Sequence, residues 1–476
     1  MNTSPNYQPH PIAGTSGNPL AEAITLCHDN RTLLSNVTRK LHGNGSFWDL
    51  PMIYQQVQLM ELHELHIPLG QFSGLYNKFA SLILHGYCKR NPFSPESMRK
   101  KIRLAELLNG EKPKFSINEF HHRTTAPSVL VYGTSGMGKT TAIRQALGQF
   151  EQVISHVEYD GKPYKATQIV WLSFDMPATA SPKALGLNFF KAVDDATGTT
   201  NYFEEYSQRS NWTVDKHLIG MQLVAQTHEI GIIHIDEVQF MTSYAKSKDS
   251  PNLLMLEALF NKLDIPVVLS CTHAGLTLFD SVKSPNGVLT EDMTTCRRGL
   301  SDREFRIDPL KLDSDPFNGL FNALFPAHLL LNSTGISQEF KQQFHFLSCG
   351  LVAVMTRLAQ LYHESLLMMV NKKGKSEQYK TDDVEMLRNV FNDQFRLIQP
   401  ALNLLRRKQF SEYEKALEKD ESGNIAITDQ DMEKIHQQKQ EKSAPAIVKG
   451  GMFDQHSANS LNLNAQHHYL DGFGKQ

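Results

Sequence analysis

Gly133-Thr134-Ser135-Gly136-Met137-Gly138-Lys139-Thr140 satisfies the pattern G-x-x-x-x-G-K-[ST] at every fixed position. It follows the apolar run of residues 129–132 and precedes a helical stretch, the context this motif needs. The glycines let the backbone wrap an anion with its N–H groups turned inward. Lys139 adds a point charge suited to β- and γ-phosphates, Thr140 a hydroxyl suited to Mg²⁺, and the helix N-terminus a favourable dipole. A strand must feed a helix here, so the chain needs an α/β unit.

The surrounding sequence supplies that unit. From Thr124 to Asp313, β-rich runs at 129–132, 168–175, 231–236 and 267–271 alternate with helical stretches at 140–150, 182–196, 214–229 and 253–263. A fifth strand is expected near 305–312. Continuous apolar strands alternating with helices predict a parallel sheet covered on both faces. Residues 20–123 read as a helical region, with apolar residues at three- and four-residue spacing over 52–65 and 72–88. Residues 314–410 return to helical periodicity, carried by Phe340, Phe344, Leu347, Leu351, Val354, Leu358 and Leu361. Residues 1–19 are expected to be a flexible lead and 411–476 a flexible polar tail.

Composition narrows the setting. A chain of 476 residues with 40% hydrophobic residues has length for two or three packed units and material for their cores. Its net charge of −2 excludes a globally basic nucleic-acid magnet, leaving room for a local basic face. Cys27, Cys88, Cys271, Cys296 and Cys349 are scattered with no C-x-x-C pair, which fits a reducing compartment better than a disulfide scaffold. Residues 1–19 lack a signal-peptide pattern, and the longest apolar runs fall short of the roughly 18 residues a membrane span needs. A soluble intracellular protein is the expectation.

A second element is needed to hold a metal and prepare water. Ile232-Ile233-His234-Ile235-Asp236-Glu237 is an apolar strand ending in two acids. Asp236 is placed to orient a Mg²⁺ shell and Glu237 to polarise an attacking water, a pairing that suits a hydrolase. Asn261-Lys262-Leu263-Asp264 spells a guanine-reading tetrapeptide, but it precedes a strand instead of following one, so ATP is the expected nucleotide. Ser270, Cys271 and Thr272 end the next strand, where a polar group reaches the γ-phosphate if that strand lies beside the P-loop strand. Arg297, Arg298, Arg303 and Arg306 follow and include candidates for a trans-acting finger. The pairs His63/His66, His121/His122 and His467/His468 lack further ligands at metal spacing and read as surface or core residues.

With these motifs placed, the chain resembles the transposon-encoded AAA+ ATPases of the TnsC/TniB type, related in role to MuB. His85-Gly86-Tyr87-Cys88-Lys89-Arg90-Asn91-Pro92-Phe93-Ser94-Pro95 resembles the Gly-Tyr-x-x-Arg-Asn-Pro segment ahead of the family's ATPase core. Gln168 to Leu172 with Leu187 to Asp194 is similar to its second strand and following helix, and Gly350 to Leu358 to its lid. The resemblance spans roughly residues 60–410 and implies an AAA+ core over 124–313 with a helical lid over 314–410.

The resemblance also implies an activity: ATP hydrolysis with Mg²⁺, by a protein that assembles on target duplex DNA as a homo-oligomeric ring or filament of about six or seven subunits per turn. It connects a target selector to transposase subunits, in a bacterial cytoplasm, with the polar tail engaging the transposase. Carried over by position, Gly133 to Thr141 bind nucleotide, Thr140 and Asp236 serve the metal, and Glu237 serves water. Thr272 matches the first sensor, though Cys271 stands where relatives often carry Gly. Arg357 matches the second sensor, and Arg297 or Arg298 the trans finger. Thr179, Ser181 and Lys183 match the segment facing the DNA backbone. The alternatives are a helicase-loader-like ATPase and a signalling or defence ATPase.

Overall fold

The computed structural model describes residues 5–41, 47–114, 127–177, 181–209, 212–241, 265–278, 303–331, 335–373 and 380–408, with Tyr413 and Ala416. All of these belong to the unit formed by residues 1–422. In chain order, the helices before the sheet are α1 (Pro19–Glu22), α2 (Asn30–Val37), α3 (Met52–Met60), α4 (Phe72–Cys88) and α5 (Pro95–Leu108). The sheet region runs β1 (Ser128–Gly133), α6 (Lys139–Leu147), β2 (Val153–Tyr159), β3 (Lys162–Ile169), β4 (Trp171–Asp175), α7 (Pro182–Thr197), α8 (Tyr202–Ser207), α9 (Val214–Thr227), β5 (Ile232–Asp236), β6 (Val267–Cys271) and β7 (Arg303–Ile307). Among the described residues, five α-helices follow: α10 (Asp315–Leu324), α11 (Gln338–Ser348), α12 (Val352–Lys373), α13 (Val384–Gln394) and α14 (Gln399–Arg406).

Five strands form one parallel sheet in the order β4-β5-β6-β1-β7. Every residue of β5 and β6 is buried, as strands covered on both faces require. This is the parallel sheet that the strand–helix alternation predicts. Two details differ from expectation. The run 168–175 is not one strand: β3 ends at Ile169 and pairs antiparallel with β2 in a separate hairpin, and β4 starts at Trp171. The fifth sheet strand begins at Arg303, earlier than the apolar residues near it suggest. The helical stretch 253–263 and the tetrapeptide 261–264 lie outside the described residues.

The N-terminal residues fasten this hairpin to the helical region. Within the lead expected to be flexible, Thr15 and Asn18 are completely buried. Tyr7 donates its hydroxyl to His156 Nδ1 at 2.8 Å, and Gln168 Nε2 donates to the Leu20 carbonyl at 2.9 Å. Phe93 and Tyr7 pack on Tyr159.

The segment Gly86 to Pro92 turns out to be a clamp on the strand that carries the acids. Tyr87 is fully buried at the end of α4, and its hydroxyl donates to the Glu229 carbonyl at 2.9 Å. Arg90 donates to the Ile230 carbonyl at 2.6 Å and to Gly231 at 3.3 Å. These carbonyls lead directly into β5. Glu229 itself is buried and pairs with Lys101 of α5. Tyr87→Phe leaves a buried carbonyl without this donor, so we expect a loss of about 1–2 kcal/mol, read as a lower denaturant midpoint.

The C-terminal helices share one core with the N-terminal region. The apolar set from Phe340 to Leu361 is divided between α11 and α12, because Cys349 and Gly350 adopt positive φ angles of 53° and 69° and end the first helix. His363 on α12 is buried and donates Nε2–H to the Leu324 carbonyl at 2.9 Å, tying α12 to the end of α10. Burial pulls its pKa down from 6.5 to about 4. The unfolded chain takes up this proton below its ordinary pKa, while the folded one resists until about 4. Stability therefore falls as pH drops through that window, with roughly 3 kcal/mol at stake from this residue. His363→Gln keeps a donor for Leu324, and its unfolding free energy should fall less steeply across the same range.

Candidate functional site

The phosphate-binding loop is built by contact as much as by sequence. β1 ends at Gly133, where any Cβ would lie 2.0 Å from the Ile307 carbonyl oxygen of β7. Only glycine lets these two strand ends approach so closely. Gly138 caps α6 in the left-handed conformation, φ 79°, and brings no side chain to the cap. The first-turn N–H groups of α6 therefore face the loop without a side-chain acceptor. Lys139 Nζ donates to the Gly133 carbonyl at 3.0 Å and the Thr134 carbonyl at 3.2 Å, holding the ammonium against the first residues of the loop.

The acids arrive from the neighbouring strands. β6 pairs with β1 so that Val131 lies level with Ser270 and Tyr132 with Cys271. β5 pairs on the other side of β6, placing Asp236 beside Ser270. Thr140 Oγ1 donates to Asp236 Oδ2 at 2.5 Å, while Ser270 Oγ and the Glu237 N–H donate to Oδ1, the latter at 2.9 Å. Burial alone would raise the Asp236 carboxyl. Its neighbour His234 and these donors reverse that and hold it below the usual carboxylate range. Glu237 is the opposite case: burial, and then the Asp236 charge, push it up. Its backbone is left-handed at φ 57°, which turns it away from the strand direction. Gln239 Nε2 donates to the Glu237 carboxylate, and Gln239 Oε1 accepts from the Thr272 N–H at 3.2 Å.

The loop, with Glu237 and Thr272, lines a cleft of about 480 Å³, within the size range of small-molecule sites. Its floor is residues 135–142 with Glu237 and Thr272. Its other walls come from outside the sheet: His63, Leu65, His66, Ile67 and Leu69 on one side, and Leu310, Pro316, Leu320, Val352, Ala353 and Thr356 on the other. The second wall is pinned to the loop, for Ala353 N donates to the Gly136 carbonyl at 3.0 Å. Tyr413, buried despite lying in the stretch expected as a flexible tail, reaches the Ser135 carbonyl from its hydroxyl at 3.4 Å.

The residues present fit a nucleotide with its metal. Among the described residues, Thr272 Oγ1 is buried in this cleft without a hydrogen-bond partner, as is His66 Nε2, and both are polar atoms that a ligand can satisfy. Thr140 and Asp236 offer the hard oxygen donors that Mg²⁺ prefers. The apolar walls suit a base, and the loop suits phosphates. Among the described residues no cluster of three or more His, Cys, Asp or Glu side chains could hold a metal without such a ligand.

Residues 122–278 match a family model described as the AAA domain. The chain carries an AAA domain, the module of nucleotide-hydrolysing ATPases. Its fold is the AAA+ P-loop NTPase fold, with a five-stranded parallel sheet flanked by helices and helical regions on either side in sequence. Solved structures similar to the chain include a Walker-type ATPase of Pyrococcus abyssi, at 14% identity over 65% of this chain and 75% of that one, with a TM-score of 0.35. Drosophila ORC bound to DNA matches at 13% over 59% and 63%, TM-score 0.31. A structure on katanin self-assembly matches at 13% over 62% and 80%, TM-score 0.29. No curated protein matches the chain in sequence.

Within the AAA domain, the structure brings Gly133 to Thr141, Asp236, Glu237 and Thr272 together around one cleft. Ser181 caps α7, accepting from Ala184 N at 3.4 Å, and Lys183 lies in the first turn of that helix. Thr179, Arg297 and Arg298 lie outside the described residues. Beyond the domain, Arg357 donates to Gln360 at 2.9 Å on α12, and it is Thr356 that lines the cleft. Gln239, His66 and the apolar walls escaped sequence reasoning. Gln239 had one available signal, its place two residues after Glu237.

Proposed function

We propose that this chain is an ATP-switched regulator of DNA transposition: it binds ATP with Mg²⁺, assembles on target duplex DNA, links a target selector to transposase subunits and is reset by slow hydrolysis. The observation that carries the ATPase part is the convergence on one phosphate-binding loop of Thr140, Asp236, Glu237 and the Thr272 hydroxyl, which has no partner among the described residues. The transposition part is supported by the resemblance in sequence, and above all by its Gly86 to Pro92 segment, which here grips the entry to β5.

In this reading Lys139 and the loop N–H groups bind the phosphates, and Thr140 and Asp236 hold Mg²⁺, which when bound neutralises phosphate charge. Glu237 orients and polarises the attacking water. Thr272 reads the γ-phosphate, and Arg357 serves as second sensor after the lid moves. Arg297 or Arg298 reaches a neighbouring subunit's nucleotide. Thr179, Ser181 and Lys183 follow the DNA backbone, one basic group per subunit repeated around a ring or filament, which reconciles duplex binding with a net charge of −2. The polar residues after 410 contact the transposase. The setting is a bacterial cytoplasm; among the described residues no helix is long and apolar enough to cross a membrane.

The test is electron microscopy of the full chain with duplex DNA in ATP, ADP or a slowly hydrolysed ATP analogue. Rings or filaments on DNA only with the triphosphates are the expected result. Strand separation points to the helicase-loader class, and assembly indifferent to DNA points to a signalling ATPase; either overturns the transposition reading.

A further inference from the structure

One polar side chain interrupts the core of β5. His234 sits among Ile232, Ile233 and Ile235, is completely buried, and shares a sheet face with Asp236 two residues on. An imidazole there costs free energy unless both nitrogens are satisfied. Both are: Nδ1 lies 2.9 Å from Ser173 Oγ on β4, and Nε2 lies 2.8 Å from Ser270 Oγ on β6. Ser270 Oγ in turn donates to Asp236 Oδ1.

Hydrogen counting fixes the Nε2 end of this relay outright and, for a neutral imidazole, the Nδ1 end as well. A serine hydroxyl has one proton, and Ser270 commits its own to Asp236, which as a carboxylate only accepts. Towards His234, Ser270 must therefore accept, so Nε2 carries the imidazole proton. Nδ1 is left with a lone pair, and Ser173 must donate to it. The order is Ser173 O–H to Nδ1, Nε2–H to Ser270, and Ser270 O–H to Asp236. In the other tautomer Ser270 would turn its proton to the imidazole, and Asp236 would lose a donor from Oδ1.

We propose that His234 is a positioning residue for the metal site: held as the Nε2–H tautomer by Ser173, it keeps Ser270 donating to Asp236 Oδ1 and so fixes the carboxylate with Oδ2 turned to Thr140. The proposal rests on the reading that Thr140 and Asp236 serve the nucleotide's Mg²⁺. Its outer end is accessible to substitution, because Ser173 is half-buried on the wall of a second cleft of about 420 Å³, beside Arg144, Asp175 and Asn188. Partners of metal-holding groups commonly shift metal affinity or activity by about 10- to 100-fold when removed.

Two measurements on the full chain test this. The first is imidazole ¹⁵N NMR of histidine-labelled protein, with the His234 signal assigned by its loss in His234→Gln. A neutral Nε2–H imidazole is expected; the Nδ1–H tautomer or an imidazolium overturns the proposal. The second is the Mg²⁺ dependence of ATP hydrolysis for Ser173→Ala, His234→Leu and His234→Gln. Ser173→Ala and His234→Leu should raise the half-saturating Mg²⁺ on the order of tenfold, with binding of metal-free ATP unchanged. His234→Gln supplies an N–H for Ser270 and should recover part of that loss. A lowered melting temperature with an unchanged Mg²⁺ requirement means a merely structural role and overturns the proposal; Ser173→Ala, conservative and half-buried, keeps this arm open if the His234 variants do not fold. A wild-type chain showing no Mg²⁺-dependent turnover overturns the metal-site reading itself, whereas a wild-type response with unmoved variants overturns only the relay.

Discussion

Glu237→Gln should bind ATP like the wild type and turn it over about 10²- to 10⁴-fold more slowly, the range that a positioned general base contributes. The substitution keeps the volume and the left-handed backbone at residue 237, and it leaves Asp236 and Thr140 in contact, so phosphate and metal binding have no cause to change. What it removes is the anionic oxygen that can take a water proton. It also changes the partner of Gln239, since two amides now face each other where an amide met a carboxylate. Single-turnover hydrolysis beside equilibrium nucleotide binding separates these effects. A variant with unchanged turnover would place the water-activating residue elsewhere. On the proposed function, the same variant should also accumulate on DNA in an assembled, triphosphate-bound state.

Lys139→Ala should weaken ATP binding on the order of 10²-fold, because a charge-assisted hydrogen bond to a phosphate is worth about 1.5–3 kcal/mol and no charge replaces it. In the structure the ammonium donates to the Gly133 and Thr134 carbonyls at the bottom of the loop. The variant therefore also loses a local brace, and circular dichroism with thermal melting should accompany the binding isotherm. Lys139→Arg is the informative companion. It restores the charge but not the compact ammonium that fits beneath the loop, so affinity should recover only in part. Retained ATP-dependent DNA binding in Lys139→Ala would remove the phosphate-binding role of the loop.

Legibility from sequence followed how local each feature is. The loop and the strand around it were readable because identities at fixed spacing dictate the backbone there, and Gly133 shows why: its neighbour across the sheet leaves no room for a Cβ. The alternation of β1, α6, β4, α7, α9, β5 and β6 was readable because β1, β5 and β6 are buried, largely apolar runs separated by helical stretches. The β2–β3 hairpin was not, since β3 is mostly polar and partly exposed and carries no apolar alternation. Its outer face is tied down by Tyr7, Leu20 and Phe93, residues far away in sequence. The cleft's apolar walls were hidden for the same reason. His66, Ile67, Leu320 and Ala353 meet only after two helical regions fold onto the loop, and no spacing rule connects them. Gln239 and His234 belong to a third kind: their residue types were visible, but their hydrogen-bond partners come from other strands.

The strand order has a consequence for how the protein is made. β1 is flanked by β6 and β7, so Val129 meets Val268 and Arg303, partners that leave the ribosome more than a hundred residues later. The N-terminal segment likewise waits for residues 156 and 168, and Tyr87 waits for residue 229. Such long sequence separations slow folding and prolong the exposure of unpaired strand edges. The loop that grips phosphate is thus among the first parts of the sheet to be translated and among the last to acquire its neighbours. Nascent chains arrested before residue 303 should be protease-sensitive at β1, and full release should be needed before nucleotide protects them.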